Sequence, residues 1–274
     1  MSIINKIIKF SIIIISIILT FLSALVQAKD PPQTSIVYTK HNLSGSLSRW
    51  PSPSNTVKAI YEPEICIFCH TPHNANPVQP LWNHELSAVQ TYKVYWSNTL
   101  QSYTEAESQA WNIDGFSKLC LSCHDGTVAV GSVNSRWEEI LMNISNCIDS
   151  SGKLIPGSGC SGYIGTDLSG GHPISIVYDN SLVSKRNNSN ITNSCWLNPP
   201  PSNRTSYVKL YPTQNQGGGM GVQCTSCHNP HTNRSLEENN GVKWPPFWQG
   251  TSYNDVCFVC HYNDCGESYK IWPY

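Results

Sequence analysis

Charge is scarce in this chain of 274 residues, with Asp, Glu, Lys and Arg making up 13% of it. The 17 basic and 18 acidic residues nearly cancel to −1, so no basic field draws the chain to nucleic acid or to an anionic membrane surface. Long apolar segments of regular period are missing too, and a chain of this texture would struggle to bury enough surface with its own side chains. Only the N-terminal stretch is apolar enough to approach a membrane span. No cysteine precedes Cys66, which excludes a lipid-modified cysteine at the end of that stretch.

That stretch has Lys6 and Lys9, an apolar run from Phe10 to Val26, and Val26-Gln27-Ala28 ahead of Lys29. This is the layout of a secretory signal, residues 1–28, cleaved after Ala28, with an uncleaved anchor as the alternative. Cleavage removes two lysines and no acids, leaving 15 basic against 18 acidic residues and a net charge of −3. Charge-steered partners should then be basic or neutral.

What the chain does have is Cys-x-x-Cys-His written four times, at Cys66, Cys69 and His70; Cys120, Cys123 and His124; Cys224, Cys227 and His228; and Cys257, Cys260 and His261. This spacing is the attachment signature of c-type haem: two thiols reach the two vinyl groups of one porphyrin and the adjacent imidazole ligates the iron. Zinc knuckles are the competing reading. They do not need that histidine, and with 9 His in the whole chain, four such placements by chance are on the order of one in a million. A disulfide framework predicts scattered cysteines, whereas eight of the twelve sit in identical units. Four covalent haem c groups are expected, and covalent attachment of this kind belongs outside the cytoplasm.

The first and third motifs extend to Cys-x-x-Cys-His-x-Pro-His, ending at His73 and His231, and each is followed by a simpler motif. The mature chain, 29–274, thus reads as one tetrahaem domain holding two di-haem units, about 60–130 and 220–265. Five histidines remain for the sixth iron positions: His41, His73, His84, His172 and His231. His73 and His231 project from the same side of a turn as His70 and His228, so each must serve a different haem from its neighbour's. His172, in Gly170-Gly171-His172-Pro173, can let a bulky ring approach. The residues leave His41 and His84 as alternatives for the last position. Five candidates for four positions favour bis-histidine irons with no open face.

Regular structure should be sparse: short strands at Thr91–Trp96 and Ile174–Tyr178, a short helix over Arg136–Ile144, one helical turn opening at each motif, and loops over Asn187–Arg204 and Gln216–Gly221. Four porphyrins then supply the missing core, with Trp82, Trp96, Trp111, Trp244 and Trp248 packing on their edges. Without haem the chain is expected not to fold. The other cysteines, Cys147, Cys160, Cys195 and Cys265, suggest two disulfides. Cys147 with Cys160 is favoured because it closes a short Gly-rich loop, which leaves Cys195 with Cys265. A nucleophilic cysteine would need an activating partner that the sequence does not display.

Phe68-Cys-His-Thr-Pro-His-Asn-Ala75, Pro80-Leu-Trp-Asn83, Leu119-Cys-Leu-Ser-Cys-His-Asp-Gly-Thr-Val128, Gly165-Thr-Asp-Leu-Ser169 with Gly171-His-Pro-Ile-Ser175, and Gln223-Cys-Thr-Ser-Cys-His-Asn-Pro-His231 together resemble the multihaem c-type cytochromes with doubled Cys-x-x-Cys-His motifs. Within that family the chain is most similar to secreted tetrahaem cytochromes that assemble into extracellular filaments. The resemblance spans nearly all of the mature chain. It implies a mostly coil fold with short helices and a few short strands wrapped around a stack of four haems, bis-histidine ligation, and a terminal haem completed by a neighbouring subunit. On that pattern His41 is the sixth ligand and His84 the spare. The Asn-rich stretch and the four additional cysteines depart from it.

The function expected is electron transfer without chemistry of its own. The protein would be a periplasmic or extracellular relay, polymeric if subunits share ligands, passing electrons to a redox protein or an extracellular acceptor. A multihaem reductase of nitrite, hydroxylamine or a sulfur oxyanion would need one open iron. A quinol-oxidising cytochrome would need the N-terminal segment retained.

Overall fold

A computed structural model describes residues 30–32, 34–54, 56–77, 79–189, 196–202, 207–232, 247–250 and 252–262. The chain divides into two units after Pro32, and every element below belongs to the second, Gln33–Tyr274. Most of the described chain is coil. The α-helices are α1 Glu105–Ser108, α2 Gly115–His124, α3 Asn180–Asn187, α4 Cys224–Cys227 and α5 Tyr253–Cys260. Three of them start on side-chain caps: Thr104 accepts from Glu107 N–H, Asp179 from Leu182 N–H and Ser252 from Asp255 N–H.

Two small sheets tie the coil together. Strands β1 Lys93–Val94 and β2 Asp167–Leu168 pair in parallel, with a Lys93–Asp167 ion pair at 3.1 Å. Strands β3 Ile176–Val177, β4 Tyr211–Thr213 and β5 Gly219–Val222 form an antiparallel sheet in the order β3-β5-β4. The strands expected over Thr91–Trp96 and Ile174–Tyr178 are therefore present only as their central pairs. The run Gln216–Gly221, expected as loop, enters β5. Its glycine is what permits the pairing: a Cβ at Gly221 would lie 2.1 Å from the Ile176 carbonyl oxygen.

The expected helix over Arg136–Ile144 is not formed. That segment bends at Trp137 and Glu138 and continues as coil, with Ile140 N–H bonded to Gly131 C=O, Asn143 N–H to Lys58 C=O and Leu141 C=O accepting from Ile60 N–H, each at 2.9 Å. Nine residues make a marginal helix alone, and ladder bonds to Gly131 and Lys58 compete successfully. The expected apolar side is consequently left outside the core: Trp137, Leu141 and Ile144 are exposed, at 106%, 68% and 71%, while Met142 is buried instead.

Among the described residues the core is three clusters, each laid against cysteine motifs. Ala59, Ile67, Phe68, Val130, Met142, Ile148 and Leu154 pack with Cys123. Tyr92, Tyr103, Trp111, Leu121, Tyr178 and Val222, among others, pack with Cys260. Val208, Trp248 and Val256 pack with Cys227 and Cys257. Among the described residues no helix is long and apolar enough to cross a membrane.

Candidate haem-binding site

Each Cys-x-x-Cys-His lies on one helical turn, which puts both thiols on one side. The placement within the helix varies. The first motif is a 3-10 turn, Cys66–Phe68, the third is α4 itself, and the second and fourth end α2 and α5 rather than opening them. In the first, third and fourth motifs the histidine N–H bonds the first cysteine's carbonyl, at 2.8, 3.0 and 2.9 Å. The eight motif cysteines are all free thiols, while Cys147 and Cys160 form a disulfide with Cα atoms 5.3 Å apart. Cys195 and Cys265 lie outside the described residues, as does Trp244.

Gln223 brings the second and third motifs together. Buried just ahead of Cys224, it accepts from Ser117 N–H at 3.0 Å and donates to Asp114 Oδ1 at 3.2 Å, while Cys224 N–H donates to Ser117 Oγ at 3.0 Å. The approach needs Gly115, at φ +53°, where a Cβ would lie 2.9 Å from both Gln223 Nε2 and Pro212 O. As a result the Cys120 and Cys224 thiols share a hydrogen bond, which raises the pKa of Cys120 and lowers that of Cys224. Cys69 lies within electrostatic reach of Cys123, and Cys227 within reach of Cys260 and Cys257. The second motif thus adjoins both the first and the third, and the third adjoins the fourth.

Three motifs are closed by the same antiparallel clasp. Around the first, Thr71 N–H donates to Leu81 C=O at 3.0 Å and Asn83 N–H to Cys69 C=O at 2.9 Å. Around the third, Asn229 N–H donates to Phe247 C=O at 2.6 Å and Gln249 N–H to Cys227 C=O at 2.8 Å. Around the fourth, Tyr262 N–H donates to Trp196 C=O at 2.9 Å and Asn198 N–H to Cys260 C=O at 2.8 Å. The bridges are His70 to Trp82, His228 to Trp248 and His261 to Leu197. Leu81 and Phe247 both take the left-handed backbone region, at φ 64° and 62°, which disfavours bulky residues. Reading tryptophans as packing residues missed these clasps; a Trp followed within two residues by Asn or Gln, at 82–83, 248–249 and 196–198, is the signal they leave in the sequence.

Three motif histidines face a second imidazole. Ring centres are 6.0 Å apart for His124 and His41, 6.0 Å for His70 and His231, and 6.1 Å for His261 and His172. Carbonyl oxygens fix the far nitrogens of several: His124 Nδ1–H donates to Gly162 at 2.5 Å, His41 to Pro230 at 3.2 Å and His172 to Pro173 at 2.8 Å. His41 also stacks on Phe247 at 4.2 Å. His228 meets Trp248 at 5.5 Å. His73 is exposed, and its carbonyl accepts from Thr71 Oγ1 at 2.6 Å. His84 is 0% exposed, with Nδ1–H on Glu85 C=O at 2.6 Å and Nε2 3.3 Å from Cys123 Sγ, so both its nitrogens are engaged.

Burial sets the charge state of the site. It pulls His41 down to about 4, with the His124 charge adding to the effect and Pro230 opposing it. It also pulls His261 to about 4, aided by His172. His124, His172 and His231 are lowered by the same cause. Thiols go the other way, with burial pushing Cys69, Cys123 and Cys227 up to about 12 and Cys260 to about 11. Cys69 and His172 nonetheless reach solvent. Neutral imidazole is the metal-binding form. In comparisons with known proteins, no family model matches the chain and no curated protein is similar enough to match.

Proposed function

We propose that the protein is an exported tetrahaem electron carrier, each Cys pair holding one haem c through thioether bonds and each motif histidine ligating its iron. The observation that carries this reading is the spacing of the imidazole pairs. A metal–imidazole bond of about 2 Å, with the ring centre about 1.1 Å beyond the nitrogen, separates the centres of two trans imidazoles by about 6 Å. The pairs His124 with His41, His70 with His231 and His261 with His172 stand at 6.0, 6.0 and 6.1 Å.

The donor set fits haem better than a bare ion. Thiols come in pairs one turn apart, and among the described residues no three His, Cys, Asp or Glu side chains converge as a metal ligand group. Trp82 Nε1–H is buried without an acceptor, its ring 6.3 Å from that of His70. It is a donor suited to a propionate. Haem iron between two imidazoles supplies one-electron exchange at low potential. The chain contributes the ordering: Gly162, Pro230 and Pro173 orient the rings, and the motif sequence one to four lays out a path. His41 beside His124 of its own chain favours a discrete relay over a ligand-sharing filament. The signal segment and the Cys147–Cys160 bond support an oxidising compartment, with a redox protein or an extracellular acceptor as partner.

The test is intact mass, haem spectrum and carbon monoxide binding of the protein secreted from a host that matures c-type cytochromes. Four haem adducts on a chain starting at residue 29, with the three irons between paired imidazoles insensitive to carbon monoxide, are expected. One carbon monoxide bound per chain would favour the reductase. Zinc without haem would overturn the reading, and filaments under the electron microscope would restore the polymer.

A further inference from the structure

Outside the motifs, one crosslinked loop grips a motif histidine through both its side chain and its main chain. Cys147 is 1% exposed and precedes Ile148, a member of the cluster packed on Cys123. Its disulfide to Cys160 spans 13 residues. From Cys160 the chain turns tightly, with Cys160 N–H on Gly157 C=O and Tyr163 N–H on Cys160 C=O, both at 3.1 Å. Two residues past the crosslink, the Gly162 carbonyl accepts His124 Nδ1–H at 2.5 Å. Ile164 and Gly165 N–H then donate to His124 C=O at 2.7 and 3.2 Å. The corresponding carbonyls at His41 and His172 belong to Pro230 and Pro173, neither next to such a crosslink among the described residues.

We propose that the Cys147–Cys160 disulfide is a positioning element for the second motif: by holding the Gly162 carbonyl against His124 it lowers the reduction potential of the one haem that His124 ligates. This rests on the tetrahaem reading above. A firm acceptor at Nδ1 makes the imidazole a more basic ligand, and a more basic ligand favours the ferric state. The disulfide remains oxidised throughout and exchanges no electrons with the haem. The other three haems, whose motif histidines bond no carbonyl beside this crosslink among the described residues, keep their potentials.

The experiment compares the four-haem protein with its Cys147→Ser/Cys160→Ser variant by potentiometric titration. Imidazole N–H exchange is followed in parallel by NMR on 15N-histidine-labelled, fully reduced protein. In the variant, one of the four reductive steps should move to higher potential while three superimpose on the parent. One motif histidine's Nδ1–H should exchange about tenfold faster or more. If the variant is not secreted, reducing and alkylating the crosslink in folded parent protein, followed by reoxidation of the haems, gives the same comparison. Four unmoved steps with four haems bound would overturn the positioning role alone, as would an equal shift of all four. A parent protein without haem would overturn both this role and the tetrahaem reading.

Discussion

The ring of His231 lies 6.0 Å from that of His70, at 19° between planes, although His228 is only three residues away in sequence. A segment carrying one motif's histidine therefore offers its second histidine to another motif, and the first and third attachment sites are fastened to each other. Replacing His231 with Ala should open one iron: about one carbon monoxide per chain more than the parent binds, and about a quarter of the haem absorbance turning high-spin. In a Cys66→Ala/Cys69→Ala background the same substitution should add no carbon monoxide binding, since the affected haem is then absent. Binding that persists in that background would assign His231 elsewhere.

Asn83 is 0% exposed and holds the first clasp shut with its side chain. It donates to Ile67 C=O at 2.5 Å and Ser135 Oγ at 2.8 Å, and accepts from Ser135 N–H at 2.9 Å. Asn83→Ala leaves a buried carbonyl and a main-chain N–H to find new partners, which costs about 2–3 kcal/mol. Denaturant melting of the holoprotein measures it, and a loss below about 0.5 kcal/mol would show the clasp to be dispensable.

Trp137 gives the opposite expectation. On an amphipathic helix it would face the core, and its removal would cost about 3–5 kcal/mol. At 106% exposure in a bend, Trp137→Ser should leave stability within about 0.5 kcal/mol of the parent. The same melting experiment separates the two.

How much of this was legible in the sequence follows from how local each interaction is. Cys66 to His70 and its three counterparts are chemistry within one helical turn, and five adjacent residues carry it whole. The Cys147–Cys160 crosslink is nearly as local, closing a loop of 13 residues. The sparse regular structure was legible from the missing apolar periodicity. What could not be read was which imidazole faces which, because the partner of His70 comes from the third motif's segment and that of His124 from near the N-terminus. The pattern Trp137, Ile140, Leu141, Ile144 misled for a related reason: non-local ladder bonds to Gly131 and Lys58 outweigh a weak local helical preference.

Alkaline behaviour rests on the aromatic cluster. Burial raises the phenols of Tyr92, Tyr103 and Tyr178, with Tyr103 reaching about 12 against an ordinary 10. In the folded chain these groups keep their protons above pH 10 while the unfolded chain loses them, so the unfolded state binds fewer protons there. Stability is fully present below about pH 10 and falls as pH rises toward 12. Tyrosinate absorbance should appear together with unfolding in a pH titration; ionisation at pH 10 with the fold intact would contradict the burial.

The clasps of the first and third motifs lie downstream of the cysteines they cover, at Trp82 after His70 and at Trp248 after His228, whereas that of the fourth, Leu197, lies upstream of His261. A chain threaded across a membrane from its N-terminus thus delivers Cys66, Cys69, Cys224 and Cys227 to the far side ahead of the strands that close over them. Cys257 and Cys260 arrive at a strand already waiting. On the proposed reading of an exported haem protein, the speed of translocation, rather than the reactivity of the thiols, would set how long a maturation enzyme can reach the first and third sites, and the fourth would be the one to catch soonest after emergence.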